Sequence, residues 1–191
     1  MQTAGYVLAG GASSRMGRNK AFLMLDGLPL VEIAARAVRE AAGRVTLIGP
    51  PEVYAPLGYP VIPDRRTGCG PLAGIETALS NTTADWNLLV ACDMPRVVPG
   101  ALRRILDVAL SPDFPETCAC VLPESQHGKV EPLCAAYHRR LLPVIGKALD
   151  DGLRKVTQAL PVDLIHYIRM TSEPIFQNIN TPEDWRAALE R

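Results

Sequence analysis

Apolar runs of strand length alternate along this 191-residue chain with amphipathic stretches of helix length, and that alternation restricts the fold more than any other feature. Strands separated by helices pair in parallel and are covered on both faces, so an α/β sheet with crossover helices is expected. "AGYVLAG" (residues 4–10) reads as the first strand. From Leu30, the apolar positions Val31, Ala34, Val38 and Ala41 recur at helical spacing, Glu32, Arg36 and Arg39 turn away, and Gly43 supplies the stop. "RVTLIG" and "YPVIPD" follow as strands, then the loop "RRTGCG" and a helix opened by Pro71, with Leu72, Ile75, Ala78 and Leu79 on one face. "WNLLVACDMP" is the central strand, continuous in its apolar character, and "GALRRILDVAL" is the next helix.

The second half is less regular. "CACVLP" and "EPLCAAYH" are strands joined by the polar "ESQHGK", and "IHYI" and "IFQNI" are two more. The last helix is well signposted: Thr181 is a fitting N-cap, Pro182 sits in the first turn, Glu183 and Asp184 favour the positive end, and Trp185, Ala188 and Leu189 form its apolar face. Arg154 and Lys155, beside Gly152, could meet a substrate phosphate but read rather as a solvated helix face. No linker or repeat interrupts the chain. One domain spanning residues 1–191 is expected, with a parallel half (1–110) followed by a mixed-sheet half (111–191).

Lys plus Arg and Asp plus Glu number 20 each, so no overall field draws the chain to nucleic acid or anionic membrane. Any bound anion must be gripped locally. No apolar run approaches the ~20 residues of a membrane span, and Gly10 and Gly11 interrupt the first apolar run too early for a signal peptide. A cytoplasmic protein is expected. Its five cysteines lack zinc-site spacing and are odd in number, and Cys118 and Cys120 read as strand residues in a reducing compartment.

Open α/β sheets bind ligands at the carboxyl ends of their strands, so the loops after the first, third and fourth strands should share one crevice. "VLAGGASSRMGRNK" follows the first: Gly10 and Gly11 let the backbone approach a phosphate and leave amides free to donate, while Arg15 and Lys20 add charge. It is neither a Walker loop, since Lys20 follows Asn19, nor a dinucleotide fingerprint. A solvated loop is the competing reading. Asp93, at the tip of the central strand, suits a divalent cation held by one carboxylate with water and phosphate oxygens, or else a turn cap. Asp64 and "GPLAG" (Gly70 to Gly74) could receive a planar base or a ribose, or Asp64 could pair with Arg65 or Arg66. His127, His138 and His166 lie outside these loops and read as structural or surface residues.

Together, "LAGGASSRMGRNK", "GPLAG", "CDMP" and "NINTPED" resemble, in order and spacing, the molybdenum cofactor guanylyltransferases, over nearly the whole chain from Val7 to Asp184. The resemblance implies a Rossmann-like three-layer sandwich with a mostly parallel mixed sheet, of the nucleotide-diphospho-sugar transferase type. It further implies magnesium-dependent transfer of GMP from GTP to the phosphate of molybdopterin, with release of pyrophosphate. Leu8, Ala9, Gly10 and Gly11 would then contact the nucleotide, Lys20 and Arg15 the phosphates, Asp64 the guanosine and Asp93 the magnesium. Asn178 and Asn180 would lie near the metal or the acceptor, which makes 1–110 a nucleotide-binding and 111–191 an acceptor-binding half. The chain departs from the family's usual pattern at Asn19, where Asp is common, and at Gly49–Pro50, where an Asn often contacts the nucleotide. Alternatives are a cytidylyl or sugar-phosphate nucleotidyltransferase of the same fold and, from a different class, a non-catalytic nucleotide-binding regulatory module.

Overall fold

The computed structural model describes residues 1–10, 19–126, 128–170 and 173–190. Strand β1 (Thr3–Leu8) begins the sheet; a 3-10 turn (Lys20–Phe22) and the short strands β2 (Met24–Leu25) and β3 (Leu28–Pro29) precede helix α1 (Leu30–Ala42). Then come β4 (Val45–Ile48), the one-turn helix α2 (Pro51–Tyr54), β5 (Val61–Ile62), α3 (Pro71–Ser80), β6 (Trp86–Ala91) and α4 (Pro99–Leu110). The remainder is β7 (Cys120–Glu124), β8 (Cys134–His138), α5 (Leu142–Asp150), α6 (Val156–Ala159), β9 (Ile165–Arg169) and α7 (Pro182–Leu189).

Seven of these strands form one sheet in the order β5-β4-β1-β6-β8-β7-β9. The first four are mutually parallel, β8 runs against both of its neighbours, and β9 pairs in parallel with β7. The mostly parallel, mixed sheet expected from the sequence is therefore the one found. Side chains alternate across it as the pleat requires. Val7, Leu88 and Val90 join the core beneath α1 and α4, whereas Tyr6, Leu8 and Leu89 join the core beneath α3 and α5. All six residues of β6 are buried, including Asn87, whose amide donates to the Ala84 carbonyl (3.4 Å) and the Tyr137 carbonyl (3.3 Å).

Helix ends follow the local chemistry. Gly43 ends α1 in the left-handed region, its N–H reaching the Arg39 carbonyl at 2.9 Å, and Pro71, Pro99 and Pro182 occupy first helical positions, where a missing N–H leaves no bond unmade. At α7 the Thr181 hydroxyl accepts from the Asp184 N–H (3.1 Å) while the Asp184 carboxylate accepts from the Thr181 N–H (2.8 Å), a complete capping box.

Some expectations fail. "IFQNI" is not a strand: Glu173–Phe176 is a 3-10 turn, and Ile175 and Phe176 are buried without joining the sheet. Pro174 has no N–H for a ladder, and an apolar run reports burial without reporting pairing. Arg154 and Lys155 are not on a helix face but between α5 and α6, where the Arg154 guanidinium donates to the carbonyls of Leu149 (3.1 Å) and Leu153 (3.0 Å) at the end of α5. Helix α5 itself, and the β2–β3 hairpin, were not expected. The hairpin turns at Asp26 and Gly27, both at positive φ (50° and 78°), the pairing that a two-residue turn favours. Cys118 precedes β7 rather than lying in it, and all five cysteines are free.

Removing the α7 cap isolates its worth. Thr181→Ala should lower unfolding free energy by about 1 kcal/mol, the usual cost of losing an N-cap hydroxyl, read from the urea midpoint with an unchanged m-value.

Candidate active site

The carboxyl ends of β1, β5 and β6 open onto a cavity of about 620 Å³, a size suited to a small-molecule ligand. Leu8, Ala9 and Gly10 line it from the end of β1, Asp64 and the segment Arg66 to Pro71 from the connection between β5 and α3, and Cys92 and Asp93 from just beyond β6. Lys20 enters from the 3-10 turn, and Gly74 from α3. Gly11 and Arg15, two further residues named by the sequence, lie outside the described residues, as does His127.

Asp93 stands two residues past the last residue of β6. Its position is held on both sides: the Cys92 N–H donates to the Leu8 carbonyl (3.1 Å), and the Asp93 carbonyl accepts from the Ile179 N–H (2.9 Å). The same late segment holds the lysine. Lys20 Nζ donates to the Ile179 carbonyl (3.1 Å) and to Asn180 Oδ1 (3.2 Å). The Asn180 N–H in turn donates to the Asp184 carboxylate (2.9 Å) that completes the α7 capping box. "NINTPED" is thus the clip that holds the lysine and the strand-end aspartate together. Asn178 Oδ1 is buried and has no hydrogen-bond partner among the described residues.

Gly10 has a different use from the one expected of it. Its N–H is not free but donates, as does that of Ala9, to the Ile48 carbonyl (3.0 and 2.9 Å). What its missing side chain permits is the approach of Asp64: a Cβ at Gly10 would meet Asp64 Oδ2 at 2.6 Å, well inside contact distance. Likewise a Cβ at Gly74 would lie 2.9 Å from Leu8 Cδ2, so that glycine also serves close packing of α3 on β1.

Asp64 pairs with neither neighbouring arginine. The Arg65 N–H donates to Thr77 Oγ1 (3.0 Å), and Arg66 grips the buried Glu76 of α3 (2.9 Å) and Asp150 of α5 (2.6 Å). These bonds fasten the cavity's β5–α3 wall to two helices, and the sequence offered no sign of them because partners lie 10 and 84 residues away.

Electrostatics set the carboxylates apart. Burial pushes the Asp93 carboxyl above its ordinary range and the buried Glu131 adds to this, against the pull of Lys20 and a backbone hydrogen bond. Burial alone raises Asp64. Burial also pushes the Cys92 thiol up to about 12, so it stays protonated and is no nucleophile. His138 and His166 are absent from the cavity lining: His138 Nδ1 accepts from the Arg140 N–H (3.2 Å), and His166 meets Phe114 edge-on.

A carboxylate with a raised folded-state value binds its proton more tightly in the native protein than in the unfolded chain. Stability then falls as pH rises through that window, and ionisation at neutral pH opposes folding. Asp64→Asn should melt at a higher temperature than the parent at pH 7, and the gain should vanish below about pH 4, where both forms of the aspartate are neutral. Thermal unfolding followed by circular dichroism across this range checks it.

A mostly parallel sheet whose strand ends enclose a lysine and two carboxylates in one cavity defines the class as an α/β sandwich with a ligand site at the carboxyl edge of its sheet. Comparison with known proteins narrows it. A family model described as the MobA-like NTP transferase domain matches residues 5–164. A "Probable molybdenum cofactor guanylyltransferase" from a Nostoc species is 35% identical over 93% of this chain and 86% of its own length. A protein of the same name from Carboxydothermus hydrogenoformans is 35% identical over 96% of this chain and 93% of its own. The crystal structure of molybdopterin-guanine dinucleotide biosynthesis protein A from Archaeoglobus fulgidus superposes with a TM-score of 0.80 at 26% identity, covering 98% of this chain and 97% of that one. The chain belongs to the molybdenum cofactor guanylyltransferase family, and it is a nucleotidyltransferase.

Proposed function

We propose that this enzyme transfers GMP from GTP to the terminal phosphate of molybdopterin, releasing pyrophosphate, with magnesium as its metal. One observation carries the reading: Lys20 and Asp93 face one cavity at the strand ends and are both clipped to Ile179, the lysine through the Ile179 carbonyl and the aspartate through the Ile179 N–H. Relatives named for the guanylyl reaction support GTP as the donor and the molybdenum cofactor as the acceptor.

The donor set suits a hard cation that keeps much of its water. The cavity-lining Asp93 carboxylate would hold magnesium, joined by the buried Asn178 amide oxygen, which has no hydrogen-bond partner among the described residues, and by phosphate oxygens. When bound, the ion supplies positive charge to the α-phosphate and leaving pyrophosphate. The acceptor needs no general base, because a phosphomonoester with a second pKa of about 6 is mostly dianionic at neutral pH. An acceptor oxygen forms a bond to the α-phosphorus as the bond from that phosphorus to the bridging oxygen breaks, and pyrophosphate leaves with the electron pair. Lys20 balances the charge that accumulates there, held in place by Asn180, so little reorganisation is needed as the charge develops. Leu8, Ala9, Gly10 and Gly11 contact the nucleotide, Arg15 adds a second cation, and Asp64 receives the guanosine. We place this work in one cytoplasmic domain, with nucleotide on residues 1–110 and acceptor on 111–191; among the described residues no helix is long and apolar enough to cross a membrane.

Pyrophosphate release in the presence of magnesium and molybdopterin, compared for GTP, CTP, ATP and UTP, tests the assignment. Release with GTP alone is expected; release with CTP alone would overturn the choice of base. Asp93→Ala should abolish turnover with the circular-dichroism spectrum unchanged. Lys20→Ala should lower kcat roughly a hundredfold, as loss of one preorganised donor does, and a loss confined to GTP affinity would make the lysine a docking residue only.

A further inference from the structure

Tyr54 closes α2 with its ring buried and takes no part in lining the cavity, yet its hydroxyl reaches two segments that do. It donates to the Ala9 carbonyl at 2.6 Å, just after β1, and accepts from Asn19 Nδ2 at 3.1 Å, just before Lys20. The Asn19 side-chain oxygen meanwhile accepts from the Ala21 N–H (3.1 Å) and caps the turn that carries the lysine. The ring is wedged as firmly as the hydroxyl is bonded. Phe22 stacks on it with centroids 5.6 Å apart and planes at 8°, and a Cβ at Gly49 would meet its Cε2 at 2.8 Å. Burial raises the phenol above its ordinary value, which keeps it a hydrogen-bond donor.

We infer that Tyr54 is a positioning residue for the nucleotide: its hydroxyl fixes the spacing between Ala9–Gly10 on one wall of the cavity and the Lys20 turn on the other. Two walls of one pocket come from chain segments on either side of residues 11–18, and among the described residues no backbone hydrogen bond joins Ala9–Gly10 to the Lys20 turn. Ala9 and Gly10 bond to Ile48 of β4, and Lys20 bonds to Ile179 and Asn180. The phenol oxygen, with the Asn19 amide, links the two through side chains. Gly49 follows from the same arrangement, since any side chain there displaces the ring and with it the hydroxyl.

The role rests on the cavity being the nucleotide site, so the test has one arm that needs no nucleotide. Tyr54→Phe keeps the ring and removes the oxygen. Hydrogen exchange at the Ala21 amide, held by Asn19, should accelerate severalfold in the variant without ligand, while the melting temperature moves by only a few degrees. Calorimetry with GTP and magnesium chloride should show affinity about tenfold weaker, the scale of one or two lost hydrogen bonds. In turnover, KM for GTP should rise by a similar factor and KM for molybdopterin should not change. Gly49→Ala, with Tyr54 intact, should move the same quantities in the same direction. Equal GTP affinity in parent and variant overturns the role of Tyr54 alone, as does an equal loss for both substrates. A parent protein that binds no nucleoside triphosphate overturns the reading of the cavity, and this role with it.

Discussion

Everything in the site is referenced to the parallel pairing of β1 with β6, buried on both faces. That pair ends Leu8 opposite Ala91, and the chain must leave the sheet there in two places at once. Side-chain burial above and below removes any freedom for the strands to slip, because a one-residue shift would turn every side chain to the wrong core. The crevice between their ends is consequently a rigid one. Gly10 and Asp93 therefore inherit their positions from packing many residues away, and a few side-chain bonds among the described residues fix the cavity walls around them.

Those few bonds are long-range. Arg66 links the β5–α3 wall to α5, the phenol of Tyr54 links the two sides of the lysine turn, and the late segment from Asn178 to Asp184 links Lys20 to the end of β6. Each is a polar clamp resting on a hydrophobic frame. The frame also carries a burden, since it holds Asp64 and Asp93 where ionisation is disfavoured. Carboxylates kept in such surroundings weaken the fold slightly and are common where a cation or a ligand is to be received.

Legibility in the sequence followed the range of the interactions. Where local period decides, as in β1, α1 up to Gly43 and the Thr181 cap, element and boundary could be read within a residue or two, while β6 begins at Trp86 as read but ends at Ala91, short of the apolar run's end. The cavity-lining residues Lys20, Asp64 and Asp93 could also be singled out, the two aspartates as carboxylates just past apolar strands and the lysine as the cation that closes a glycine-rich loop. Helix α5 was hidden by Pro143 and Gly146, which look like breakers until Pro143 is seen in the first turn. "IFQNI" misled because burial without pairing and burial within a sheet share one pattern. Tyr54 and Arg66 were beyond reach: one sits in a one-turn helix and the other in a loop, and neither makes sense without partners from elsewhere in the chain. Asn19 and Gly49 stood out as departures from the pattern of related chains, but only the structure shows that both touch the same tyrosine.

The bond from Lys20 to Ile179 spans 159 residues of sequence. Contacts so distant are expensive in chain entropy and form late, after local helices and neighbouring strands have condensed. The sheet can therefore assemble before the bonds from Lys20 to Ile179 and Asn180 form. During synthesis the sheet would take shape first, and the clip from Lys20 to Ile179 and Asn180 would close only as the last helix docks, so this wall of the cavity is completed by the final stretch of the chain.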